Sequence, residues 1–110
     1  MSPAIRNVAV AQGQLTVTGT TIVYTVPTGS AFICKSIFLT NAGSNTVNAL
    51  VYAYHPAPYS TVRSVQQAIA SGAFVQWSGW IVLNAADQLA INVDQTGLCF
   101  WVSGAVLPFA

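Results

Sequence analysis

The chain has 110 residues, 54% of them hydrophobic and 5% charged, with a formal net charge of +1. That length gives one domain with a small core, and the charge is far below the roughly 25% of an ordinary soluble domain. Three basic residues, Arg6, Lys35 and Arg63, make no phosphate-binding patch, and no run of about 18 to 20 apolar residues offers a membrane-spanning helix.

The elements read as strands almost throughout: short runs of Val, Ile, Thr, Tyr, Phe and Trp, punctuated by Gly, Asn, Pro, Ser and Asp. Ile5 to Ala11 and Gln14 to Thr18 read as a first hairpin around Gln12-Gly13, so residues 1–20 form an arm ahead of the sandwich at 21–110. Thr21 to Val26 follows, with Ile22, Tyr24 and Val26 on one face, and Pro27-Thr28-Gly29 turns the chain. In Ala31 to Thr40, Phe32, Cys34 and Phe38 oppose Ile33, Ile37 and Leu39. After the polar loop Asn41 to Asn45, Thr46 to Tyr54 places Val47, Ala49, Val51 and Ala53 against Leu50, Tyr52 and Tyr54.

His55 to Ser60, with Pro56 and Pro58, reads as an irregular loop because proline leaves a ladder without its donor. Val62 to Ala70 fits a strand or a short helix. Ser71-Gly72 turns into Ala73 to Leu83, which Gly79 kinks or bulges. Asn84 to Asp87 turns into Gln88 to Val93, with Leu89, Ile91 and Val93 inward and Gln88, Ala90 and Asn92 outward. Asp94 to Gly97 turns into Leu98 to Val106, where Leu98, Phe100 and Val102 oppose Cys99, Trp101 and Leu107. The pattern predicts an all-β, antiparallel, jelly-roll-like sandwich of about eight strands. Apolar residues on both faces of two strands ask for a second covering layer, most economically another subunit.

Little in the chain carries catalytic chemistry. His55 is the one histidine, and Asp87 and Asp94 fall in hairpin turns, where aspartate commonly bonds local N–H groups. Nothing in the spacing joins them into a triad or a paired-carboxylate site. Cys34, Cys99 and one histidine fall short of a zinc site, and the eight glycines are scattered at turns rather than gathered in a phosphate loop. No catalytic residue, metal or cofactor is expected. Both cysteines sit in strands and are expected as buried thiols. Trp77, Trp80 and Trp101, with Tyr52, Tyr54 and Tyr59, suit either subunit packing or a sugar-stacking surface, and the lack of charge beside them favours packing. The expected partner contacts are Tyr54, His55, Pro56, Pro58 and Tyr59, then Phe74, Trp77, Trp80 and Trp101, with the arm Met1 to Ala11 free to reach a neighbour.

Tyr24-Thr25-Val26-Pro27-Thr28-Gly29, the strand Phe32-Ile33-Cys34-Lys35-Ser36-Ile37 and then Thr40-Asn41 resemble the opening of small virion proteins of tailed bacteriophages. Val82 to Leu89 resembles their "VLNAGDTL" segment, and Val102 to Val106 their closing "VSGVE". Together these cover about Thr21 to Val106. Two departures stand out: Ala86 replaces the turn glycine, and Leu107 stands where an acidic residue often ends the pattern. The resemblance implies a jelly-roll subunit present in many copies in a virion assembled in the host cytoplasm. Its expected role is capsid decoration (cement), as a homotrimer bridging major capsid subunits, or else a place in the neck, tail or baseplate. It implies no catalytic residues; pattern and charge, as above, leave no expected membrane or nucleic-acid partner. A carbohydrate-binding module is the expectation from a different class.

Overall fold

The computed structural model describes residues 6–56 and 59–108. Eight strands follow in order: β1 (Arg6–Gln14), β2 (Gly19–Thr25), β3 (Ser30–Asn41), β4 (Val47–Pro56), β5 (Tyr59–Ile69), β6 (Phe74–Leu83), β7 (Gln88–Val93) and β8 (Leu98–Pro108). They build two four-stranded sheets, β1-β8-β3-β6 and β2-β7-β4-β5, with antiparallel pairing throughout. This strand order is that of a jelly roll, a sandwich in which successive strands cross between sheets at every step but the β4–β5 hairpin, so that most pairing is long-range. The predicted fold class is the observed one.

Alternation decides what enters the space between the sheets. Val47, Ala49, Val51 and Ala53 of β4 and Leu89, Ile91 and Val93 of β7 point inward and are buried, as their period-two spacing requires. From the other sheet come Phe32, Cys34, Ile37 and Leu39 of β3 and Leu98 and Val102 of β8. Each large aliphatic side chain fully enclosed in this way stabilises the fold by about 1.5 to 3 kcal/mol.

Register shifts overturn the expected faces of two strands, β3 and β2. On β3 the pairing skips Lys35: Cys34 lies opposite Gly104, and Ser36 opposite Ser103. This bulge reverses the alternation, so Ile37 and Leu39 join Phe32 and Cys34 inside while Phe38 turns out to solvent. On β2 a shift at Val23 separates Ile22, which is exposed, from Tyr24, whose ring packs edge-on against Phe32. The same level of β6 carries a bulge at Gly79-Trp80 opposite Lys35, where the glycine signal placed one.

Other differences concern loops. The expected hairpin around Gln12-Gly13 does not form: both residues lie inside β1, which pairs along its length with β8. His55 and Pro56 extend β4, and Pro56 pairs with Tyr59 beyond the last β4–β7 pair, Tyr54–Gln88, so its missing donor costs no bond to β7. Residues 62–69 belong to a strand. Ala90 is buried although it faces outward, because its small side chain sits in register between Ile22 and Tyr52. Asp94 also ties its turn to β4, accepting bonds from the Asn48 backbone N–H (2.8 Å) and Nδ2 (2.6 Å).

Asn41 ties one end of the sandwich together. It is fully buried; its Nδ2 donates to the carbonyls of Asn45 (2.7 Å) and Ile69 (2.9 Å), and its Oδ1 accepts from the Gly43 N–H (2.9 Å). The sequence reading placed it only at the start of a loop. At the centre of the first sheet, Gly104 of β8 lies so close to β3 that an added Cβ would sit 2.0 Å from the Ile33 carbonyl oxygen.

Candidate functional site

Among the described residues, seven large apolar side chains are exposed: Val17, Ile22, Phe38, Phe74, Trp80, Val82 and Trp101. Five of them, all but Val17 and Ile22, project from the outer face of the β1-β8-β3-β6 sheet. Register explains the gathering. Phe38 lies opposite Trp101 on one side and Gln76 on the other, and Thr40 lies opposite Phe74, whose ring stacks on Phe38 with centroids 5.3 Å apart. Further along, Val82 lies opposite Ile33, and Trp80 stands on the β6 bulge. Between these two apolar lobes runs a row of small side chains, Ser103, Ser36 and Ser78.

The exposures are large. Trp80 keeps 74% of its surface, Phe74 64% and Trp101 51%. At about 150 to 250 Å² per aromatic side chain, the five residues present on the order of 500 Å² of apolar surface, a size at which patches on monomers are commonly functional. Lys35, on the bulge, is the one charged side chain on this face among the described residues; it lines a groove of about 500 Å³ with Val8, Ala9, Trp101, Ser103 and Gly104. The opposite sheet presents a more polar face, where Asn92 Nδ2 donates to Thr20 Oγ1 (2.8 Å) and Tyr52 and Tyr54 lie side by side.

Of the expected contact residues, Phe74, Trp80 and Trp101 meet on this face. Trp77 turns inward and packs half-buried against the core, because it differs from Trp80 in strand parity. Tyr54 belongs to the outer face of the other sheet, and His55 stands at the mouth of the sandwich. The backbones of Pro56 and Tyr59 pair with each other; their side chains, and Pro58, lie outside the described residues. Sequence reading missed Phe38 and Val82. Val82 follows from parity with Trp80, whereas Phe38 needed the Lys35 bulge.

The structure also joins two residues that the sequence kept apart. The β4–β7 register brings His55 beside Asp87, and His55 Nδ1 pairs with Asp87 Oδ1. Asp87 Oδ2 accepts the Asn84 N–H (2.8 Å), and the Asp87 carbonyl accepts the Val26 N–H (2.9 Å). The pair borders a cavity of about 130 Å³ whose other lining residues, Ala53, Tyr54, Ile81, Val82 and Leu83, include no serine, threonine or cysteine to act as a nucleophile. Its evident task is to clamp the β2, β4 and β7 ends together. No three His, Cys, Asp or Glu side chains among the described residues could hold a metal. Cys34 is buried and desolvation pushes its thiol up to about 12, while Cys99 faces the other side of the sheet; both are free.

No family model matches the chain, and no curated protein matches it in sequence. Solved structures share its fold. A chain of infectious bursal disease virus, Gx strain, superposes with a TM-score of 0.50 at 12% identity over 96% of this chain. This chain spans 32% of that one, about a third of its length. The Drosophila NLP core, described with pentamer formation and histone binding, gives a TM-score of 0.49 at 11% identity, covering 94% of this chain and 97% of that one. The CBM22-1–GH10 modules of Clostridium thermocellum xylanase 10B give 0.45 at 12%, covering 96% and 26%. At these identities the likeness to the viral chain establishes the jelly-roll architecture.

Proposed function

We propose that the chain is a structural protein of a virion, a capsid decoration subunit of a tailed bacteriophage that forms homo-oligomers and bridges neighbouring coat subunits. The observation that carries this reading is the outer face of the β1-β8-β3-β6 sheet, which gathers Phe38, Phe74, Trp80, Val82 and Trp101 around Lys35. An apolar face of this size is commonly an interaction surface, and an assembly covers it permanently. Jelly rolls recur in viral capsids, the virus chain above shares the architecture, and the sequence motifs of small phage virion proteins run in the same order along this chain. Attachment works by burial, repeated around the shell so that modest contacts add avidity. The expected subunit number is three, and a neck, tail or baseplate position is the variant of the same reading.

Copy number in purified virions of the encoding virus tests the proposal. Decoration requires on the order of hundreds per particle and a tail-axis ring about 3 to 12. Absence from the particle defeats both. Because the face is nearly uncharged, about 1 M salt leaves the subunit attached, and release by salt alone argues against burial as the mechanism.

A second reading has its own observation. The row Gln12, Trp101, Phe38, Gln76 across four strands sets an exposed indole and a phenyl ring side by side, flanked by two amide side chains, a suitable platform for a sugar ring. Glycan-array binding lost in Trp101→Ala supports a carbohydrate-binding module, and a flat array removes it.

A further inference from the structure

The core is open along one flank. The inward residues Val75, Trp77, Gly79 and Ile81 of β6 are only half-buried, whereas Phe32, Cys34, Ile37 and Leu39 on the adjacent β3 are fully enclosed. β6 is the edge of its sheet, so alternate N–H and C=O groups point away from β3 with no strand beyond them among the described residues.

Exposed edges are ordinarily blunted by charge, proline, bulges or shortness. β6 has ten residues, FVQWSGWIVL, with neither charge nor proline. The other edges differ: β1 is bulged between Ala9 and Ala11, β2 has seven residues interrupted at Val23, and β5 carries Arg63 and exposes Gln66 and Gln67. The β6 bulge at Gly79-Trp80 leaves Phe74 to Ser78 as a regular run of pairing positions.

We propose that a second copy of this chain pairs with the first, antiparallel and edge to edge along β6, about a twofold axis through Gln76. This is the register that pairs all of Phe74 to Ser78 with itself. Gln76 then faces the partner's Gln76, Val75 faces the partner's Trp77, and Phe74 faces the partner's Ser78. Val75 and Trp77 form two symmetric pairs of aromatic with β-branched side chain, a favoured cross-strand combination, and they seal the flank where both are half-buried. A strand without charge meets its own copy without like-charge repulsion. Phe74, Gln76 and Ser78 stay on the outer side, so the apolar faces of two copies merge into one eight-stranded surface. The contact is isologous and joins copies in twos; a threefold contact uses other surfaces. The pairing is a property of the isolated chain and does not rest on the virion reading.

Sedimentation of the purified chain tests it. The wild type sediments as a dimer or an even multiple at about 100 µM. Gln76 is exposed, so Gln76→Lys and Gln76→Glu leave the circular dichroism spectrum unchanged, while each sets like charges about 5 Å apart across the axis and weakens association at least about tenfold. Mixing the two variants restores it as a heterodimer. A monomeric wild type, an oligomer indifferent to both charges, or no recovery on mixing overturns the proposal. So does an oligomer weakened by Trp101→Ser but not by Gln76→Lys, since that outcome assigns the contact to the sheet face. A dimer that passes these tests yet is absent from virions leaves the pairing standing and removes the proposed function.

Discussion

Ala86 offers a quantitative test of the backbone. It occupies the turn between β6 and β7 with φ of 72°, the left-handed region that L-residues avoid. Its N–H donates to the Val26 carbonyl (3.0 Å), and the Asp87 N–H to the Asn84 carbonyl (3.0 Å), so the turn is held from both sides. An alanine there costs about 1 to 2 kcal/mol relative to glycine. Glycine returns about 0.4 to 1 kcal/mol through the greater freedom of its unfolded chain. Ala86→Gly therefore stabilises the fold by roughly 0.5 to 1 kcal/mol, a rise in Tm of about 2 to 6 °C for a domain of this size. Ala85, the exposed neighbour, has no positive φ, so Ala85→Gly lowers stability by about 0.4 to 1 kcal/mol. Calorimetry of the three proteins at one protein concentration separates the terms, since self-association shifts Tm. Equal or lower stability for Ala86→Gly, or the same sign for both variants, refutes the argument.

Asn41→Ala removes three hydrogen bonds and leaves the Ile69 carbonyl without its side-chain donor, at a cost of about 2 to 4 kcal/mol; urea unfolding reads it, and a loss under about 1 kcal/mol contradicts the tie assigned to this residue. Gly104→Ala drives a methyl group into the Ile33 carbonyl between paired strands, costing about 3 kcal/mol or more or abolishing soluble expression, and a neutral outcome in the same assay rejects the close approach. Hydrogen bonds from Asn48 hold the Asp94 carboxyl below its usual range. Such a group contributes stability above its unfolded pKa and loses it as pH falls through the folded pKa. Asp94→Asn consequently flattens the acid limb of the stability profile below about pH 4, and superimposable limbs count against this role. A thiol reagent at about pH 8 modifies Cys99 in the native protein and reaches Cys34, enclosed and held protonated, only after unfolding; fast reaction at Cys34 is inconsistent with the core described.

The sequence carried the fold further than the faces. Alternation in β4 and β7 was plain, since Val47, Ala49, Val51 and Ala53 or Leu89, Ile91 and Val93 repeat without interruption. The faces of β3 are not legible, because its bulge falls on Lys35 and nothing local marks a residue that drops out of register. Plain alternation therefore groups Phe38 with Phe32 and Cys34, whereas it belongs to the exposed face. Gln12-Gly13 carries a turn signature yet lies within β1, where pairing to a strand some ninety residues later overrides it. The His55–Asp87 pair depends on the same kind of long-range register. Of the aromatic face, Phe74, Trp80 and Trp101 were legible as candidate contacts, and the tertiary pairing of β3, β6 and β8 made them one surface.

The central claim is that the outer face of the β1-β8-β3-β6 sheet is a buried contact within a virion. Electron cryo-microscopy of the native particle tests it most directly. The account predicts many symmetrically placed copies in which Phe38, Phe74, Trp80 and Trp101 lie against neighbouring subunits. Particles lacking the chain, or holding it with that face open to solvent, contradict it.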